Sequence, residues 1–293
     1  MKRLLPILLC AGACSATEQP QSANAVQADA PHAASATPAG AGYSSTVSAL
    51  RITPVGALPR GLGVGLDDYC SDKVTDARSP QARAVEARGW HVTAEQPVGR
   101  YLAVSFAGRF EPMTSGVCGT SDGNVALFDG ERLVAIVHAA RSGMETPRLV
   151  TALEEQGRLR IWGEEHAPPL ADLVVSGDGV TVAAVAPADR WCDGAVSVPN
   201  VFVSRIREAR THILRAGWRA DPPAAEEIAE SSYGVETELR REGVTEVQSC
   251  SGTGYALCAF SYRSRAGPTL DVTTAGEEQR VVYYAVECRP HRQ

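Results

Sequence analysis

From about residue 45 onward, short apolar runs alternate with turns rich in glycine and aspartate, the period-two pattern of half-buried strands. Runs at 125–128 and 133–137 flank Asp129-Gly130, runs at 149–153 and 159–162 flank Gln156-Gly157, and runs at 173–175 and 180–185 flank Gly177-Asp178-Gly179. Asp-Gly and Gly-Asp pairs tolerate positive φ, so each is a hairpin signal. One helix is predicted at 79–89, with Pro80 just inside its start and Gly89 just past its end. Residues 45–193 therefore read as a β-rich module with one helix, a sandwich or a curled meander. The even hairpin spacing matches propeller blades, but there are too few repeats to close a ring.

Past residue 194 the period changes. Ser204 is placed to cap a helix with Ile206, Ala209, Ile213 and Leu214 on one face, ending at Gly217. A less regular helical stretch occupies 223–242, and strand-like runs follow at 245–250, 257–262, 270–274 and 281–287. Helices followed by consecutive strands predict an α+β module with an antiparallel sheet over 194–293. The stretch Val198-Pro199-Asn200-Val201, then Ala209, Leu214, Gly217 and Trp218, resembles the first half of a PASTA repeat, with Val203 where that family usually has glycine. PASTA repeats are extracytoplasmic modules, some of which bind peptidoglycan fragments or β-lactams. Glu246-Val247, Ser249 through Gly254, Cys258-x-Phe260 and Leu270-x-Val272-x-Thr274-x-Gly276 resemble a small domain of uncharacterised bacterial envelope lipoproteins. Both resemblances imply a binding or structural module outside the cytoplasm, and neither supplies a catalytic residue.

The first residues read as an address. Met1-Lys2-Arg3 followed by an apolar stretch to Ala13, too short to span a bilayer, predicts a signal peptide over 1–13. Ala11-Gly12-Ala13-Cys14 resembles a bacterial lipobox, with Ala11 where leucine is usual. That resemblance implies acylation of Cys14, and Ser15 after it implies an outer-membrane lipoprotein facing the periplasm. Ala11-x-Ala13 also suits ordinary signal peptidase, which would leave a secreted or periplasmic soluble protein. Residues 14–44 are mostly Ala, Ser, Pro, Gln and Gly. They cannot offset an ordering cost of about 1–2 kcal/mol per residue, so a flexible tether is expected.

Charge and cysteine content narrow the partners. The net charge of −6 gives no reason to expect nucleic acid, and no basic patch suggests membrane contact beyond the lipid anchor. Lys2 and Lys73 are the lysines among 28 basic residues, the bias of a GC-rich bacterial genome, so individual arginines carry little functional weight. Beyond Cys10 and Cys14 six cysteines remain, an even number that predicts disulfides in an exported chain. Cys250 with Cys258 closes a local loop, Cys192 with Cys288 ties the ends of the second module, and Cys70 is left with Cys118. Cys258 with Cys288 is the competitor. Without a CxxC pair or paired histidines, no structural metal and no cofactor is expected.

Gly119-Thr120-Ser121-Asp122-Gly123 spells the G-x-S-x-G of a hydrolase nucleophile elbow. The residues after it, Asn124 to Phe128, read as a strand, so the helix needed to aim backbone N–H groups at an oxyanion is missing, and an ordinary glycine-rich loop is expected. His91 is predicted to share a solvated strand face with Thr93 and Glu95, His138 ends a strand, His212 lies on a helix, and His166 and His291 lie in a loop and the tail. Glu164-Glu165-His166 reads as a solvated charge run, and Asp67-Asp68 lacks the context of a calcium loop. Trp90, Trp162, Trp191 and Trp218 border apolar runs and are expected in packing contacts.

No catalytic residue is therefore assigned. The expectation is a tethered envelope protein that binds a cell-wall fragment or an envelope protein, with Ser251, Gly252, Thr253, Gly254 and Tyr255 as a candidate binding loop. The alternatives are an inhibitor or immunity-type protein that inserts this loop into an enzyme, as the β-lactamase inhibitor protein does, and a periplasmic serine hydrolase using Ser121 with His91 or His138.

Overall fold

Two five-stranded sheets face each other across one apolar interior. The computed structural model describes residues 42–113, 116–153, 157–225, 228, 234–251 and 254–288; the signal peptide expected over 1–13, Cys14 and the expected tether up to residue 41 lie outside them. The first sheet has the order β1 (Tyr43–Ser45), β12 (Gly179–Ala183), β11 (Ala171–Ser176), β10 (Arg158–Trp162) and β9 (Leu149–Ala152). It is antiparallel except for β1 on β12. The second, antiparallel throughout, runs β2 (Leu50–Pro54), β8 (Arg132–Ala139), β7 (Asn124–Asp129), β4 (Tyr101–Ala107) and β3 (His91–Val98). Tyr43 and Ser44, tether-like by composition, belong to β1, where the Ser44 hydroxyl meets that of Thr181 at 3.0 Å.

Side-chain alternation explains the layers. In β7, Val125 and Leu127 enter the inter-sheet core beside Leu50, Val137, Ile161 and Leu173, whereas Ala126 and Phe128 face the other way. There they meet Ala82 and Val85 of helix α1 (Pro80–Glu86). The second sheet is thus covered on both faces, which is why β8 carries the unbroken run Leu133 to Val137. The α1 start is set by Ser79, whose hydroxyl accepts the Ala82 N–H at 3.0 Å, and by Pro80 in its first turn.

Beside the sandwich, β5 (Arg109–Pro112) and β6 (Cys118–Ser121) form a hairpin, and a 3-10 helix, Asp68–Lys73, packs on it. The sequence boundary at 193/194 falls inside a second hairpin, β13 (Ala188–Trp191) with β14 (Val196–Pro199). Val196 and Val198 of this hairpin belong to the C-terminal core. The C-terminal sheet runs β15 (Trp218–Ala220), β17 (Cys258–Ser264), β18 (Thr269–Ala275) and β19 (Arg280–Glu287), with β16 (Val247–Cys250) also on β17. One face packs Phe260, Tyr262, Leu270 and Val272 against Ile206, Ala209 and Ile213 of α2 (Ile206–Arg215) and Leu239 of α3 (Val235–Arg241).

Among the described residues strand is therefore the predominant element, in mainly antiparallel sheets with few helices. Some details differ from the pattern-based expectation. Arg205, not Ser204, occupies the α2 N-cap, without a side-chain cap; the Ser204 carbonyl instead accepts the Val281 N–H. Within 223–242 the named helix is α3, and β15 is an additional strand that three residues with one buried side chain could not announce. No helix among the described residues is long and apolar enough to cross a membrane.

The six cysteines form three disulfides, Cys70–Cys118, Cys192–Cys288 and Cys250–Cys258. The last joins residues directly opposite each other on β16 and β17. A buried polar cluster links the sandwich to the C-terminal sheet. Arg160, 2% exposed, forks onto two carboxylates: Nε donates to Asp172 at 2.9 Å, and Nη1 and Nη2 donate to Asp189 at 2.6 and 2.9 Å. Tyr284 on β19 donates its hydroxyl to Asp189 at 2.7 Å. Burial disfavours the Arg160 charge, but the hydrogen bonds it donates to Asp189 and Asp172 outweigh this and raise the guanidinium pKa.

Candidate functional site

A surface opening with converging polar groups begins with a glycine-rich strap. Residues 55–67 form no ladder; the strap is held by single hydrogen bonds to β8, the end of α1 and the start of β3, and by Val55, Leu58 and Leu66 packing on neighbouring apolar clusters. The Gly61 N–H donates to the Arg88 carbonyl at 2.8 Å, the Trp90 indole N–H to the Pro59 carbonyl at 2.9 Å, and a His91 ring nitrogen meets the Val64 carbonyl at 2.9 Å. A Cβ at Gly61 would lie 2.3 Å from the Gly89 oxygen, so only glycine permits this approach.

Facing the strap is the loop after β8, residues 140–147. The Gly123 N–H donates to the Thr146 hydroxyl at 3.1 Å, and a Cβ at Gly123 would lie 2.1 Å from the Pro147 carbonyl oxygen. Glu145 accepts the Glu164 N–H at 2.5 Å. Between strap and loop opens a cleft of about 730 Å³, lined by Arg60, Leu62 and Trp90 on one side and by Arg141 to Thr146 with Glu164 on the other. Residues 120–124, His138 and Ala139 complete it. Asp122, at the turn between β6 and β7, is held at φ +58°, a conformation aspartate tolerates better than most residues.

The electrostatics of the cleft are unusual for this surface. Arg60, Arg141, Asp122 and Glu164 all line it, yet none makes an ion pair among the described residues. Desolvation of the Glu145 carboxyl and the neighbouring Glu164 charge raise the pKa of Glu145, against the Glu164 N–H that favours its charged form. Elsewhere, opposite charges sharing a neighbourhood pair: Arg100 with Asp129 and Asp178, Arg263 with Asp221, and Arg205 with Glu278.

Ser121 and His138 both line the cleft, and His91 does not. His138 Nδ1 lies 2.8 Å from the Ala139 carbonyl and so donates to it, while Nε2, 2.9 Å from the Thr53 hydroxyl, accepts. Both nitrogens are engaged away from Ser121, and Ser121 leads from β6 through a short turn into β7 without a helix. The solvated face expected for His91, Thr93 and Glu95 does not form. A bulge between Val92 and Ala94 turns Thr93 inward, where it donates to the Arg148 carbonyl at 2.5 Å; Glu95 accepts the Arg78 and Ser79 N–H groups.

The charge run 164–166 is divided by the fold. Glu164 stays at the cleft, whereas Glu165 turns inward to Lys73 at 2.8 Å and the Cys118 N–H, and the His166 ring packs 5.5 Å from Tyr255. Asp67 caps the 3-10 helix by accepting the Tyr69 N–H at 2.8 Å. Trp218 is buried, Trp162 packs on Phe202 and Tyr283, and Trp90 meets Phe106 edge-on at 5.0 Å. In the candidate binding loop, Gly252 and Thr253 lie outside the described residues. Ser251 and Gly254 are exposed, and Tyr255 is half-buried against His166 with its carbonyl accepting the Gly276 N–H at 2.7 Å. Tyr255 is thus held against His166 rather than projecting freely.

The strap and the 140–147 loop escape sequence reading. The only local signal is the glycine alternation at Gly61, Gly63 and Gly65, which does not reveal the surface it lies on. Among the described residues, no group of three or more His, Cys, Asp or Glu side chains is placed to hold a metal ion. Fold and cleft together define a disulfide-bonded β-sandwich with an appended α+β layer and a polar surface cleft. In comparisons with known proteins, the chain matches no family model, no curated protein and no solved structure.

Proposed function

We propose that this chain is an exported, lipid-anchored protein of the bacterial envelope with a non-catalytic binding role, and that it holds a cell-wall fragment in the cleft between strap and loop. The observation that carries the reading is the pairing of all six cysteines beyond Cys14 in disulfides, which persist in oxidising compartments and rarely in a reducing cytosol. A preformed concave site with convergent polar groups and one indole supports binding as the role. The test is sedimentation of the purified oxidised protein with insoluble peptidoglycan, together with fractionation of cells expressing wild type and Cys14→Ala. Retention on peptidoglycan and loss of membrane association in the variant are expected. Wild type that neither sediments nor leaves the cytosol overturns the reading.

A further inference from the structure

We infer that the cleft selects a short peptide carrying both a free ammonium and a free carboxylate, the chemistry of an uncrosslinked cell-wall stem peptide; this rests on the binding role proposed above. The argument starts from the charges that line the cavity without neutralising one another. Arg60 and Arg141 supply cations, and Asp122, Glu145 and Glu164 supply carboxylates, and none of the five is in an ion pair among the described residues. Their backbones come from different elements, the strap, the turn after β6 and the loops following β8 and β10, and these are clamped by contacts at Gly61 and Gly123. The backbones that carry the charges are therefore held at separate points around one opening.

Ligand classes can be separated on desolvation grounds. A neutral sugar entering the cleft would displace water from charged groups without returning an opposite charge, which is unfavourable. A ligand of a single sign would satisfy one set and leave the other unmatched. A zwitterionic ligand returns a charge-assisted hydrogen bond to each set, with its carboxylate on the arginines and its ammonium on the glutamates. The indole does not change this ranking, because Trp90 spends its N–H on Pro59 and packs edge-on against Phe106.

The experiment is titration calorimetry of the oxidised protein with three synthetic probes. The first is an N-acetylated Ala-Gln-Lys-Ala peptide with a free lysine ammonium and a free C-terminus as its one carboxylate. The second has the lysine acetylated, and the third has the C-terminus amidated. Wild type is expected to bind the free probe at least tenfold more tightly than either blocked form. In Arg60→Gln/Arg141→Gln amidation should no longer matter while acetylation still does, and in Glu145→Gln/Glu164→Gln the reverse should hold. All four residues are exposed, so the variants are expected to keep the wild-type fold, with Glu145→Gln raising rather than lowering the melting temperature at pH 7. Equal affinity of wild type for all three probes overturns the inference. So does a protein that sediments with peptidoglycan but does not bind the free probe, an outcome that leaves the proposed binding role standing; failure in both assays removes the two together.

Discussion

Arg160 is the residue whose surroundings differ most from its sequence context. As one arginine among many it carries no signal, yet it is buried and shared between Asp172 on its own sheet and Asp189 on the hairpin leading to the C-terminal layer. Removing one partner leaves a buried charge uncompensated, which typically costs about 3–5 kcal/mol. Asp189→Ala is therefore expected to lower unfolding stability by that amount in urea melts, and Tyr284→Phe by about 1.5–3 kcal/mol for a hydrogen bond to a charged group. Two glutamates give opposite pH signatures. Burial would raise the Glu165 pKa, but the Lys73 ammonium and the Cys118 N–H hold it below its ordinary 4.5. Its contribution is thus present above pH 4.5 and lost as pH falls through the lower folded value. Glu165→Gln should flatten this part of the acid limb in a stability-versus-pH series. The Glu145 pKa is raised, so its ionisation opposes folding as pH rises above 4.5. Glu145→Gln should stabilise at pH 7 and have no effect well below pH 4.

The strap and the 140–147 loop illustrate how an irregular element is held without a ladder. Each depends on close backbone approach at a glycine, which in the strap accompanies the packing of Val55, Leu58 and Leu66 on neighbouring apolar clusters. At Gly123 an added methyl would meet the Pro147 carbonyl, a fixed backbone atom, so the loop must shift. Gly123→Ala is expected to cost about 1–3 kcal/mol as an overpacking change. It should also speed amide exchange in 141–147 while leaving exchange in β10 and β11 unchanged; equal protection in the loop would show that the contact does not hold it. The β-bulge in β3 has a comparable effect on a strand. It reverses the side-chain parity that places His91, Thr93 and Glu95 on one face and buries Thr93 instead.

For the molecule as a whole, the disulfides act on very different lengths of chain. Cys250 and Cys258 are 8 residues apart and Cys192 and Cys288 are 96 apart. Chain entropy assigns about 4–5 kcal/mol to a loop near 100 residues and clearly less to the short one. Replacing both members of the long pair by serine should therefore lower the denaturation midpoint more than replacing both members of the short pair, with reductant lowering wild type at least as far. What the amino-acid sequence determined by itself is local. Ser79 and Pro80 set a helix start, Asp129-Gly130 set a turn, and period-two runs made the chain predominantly β, because short-range sterics and capping act within a few residues. The even cysteine count pointed to disulfides, but six cysteines allow 15 connectivities, so the pairing was left to the fold. Only the tertiary structure decided that the strap lies on the end of α1, that Glu165 turns inward while Glu164 stays at the surface, and that Arg160 meets two aspartates. Those outcomes depend on which distant surfaces bury each other, and a single arginine, glutamate or glycine carries no local mark of the neighbour it will meet.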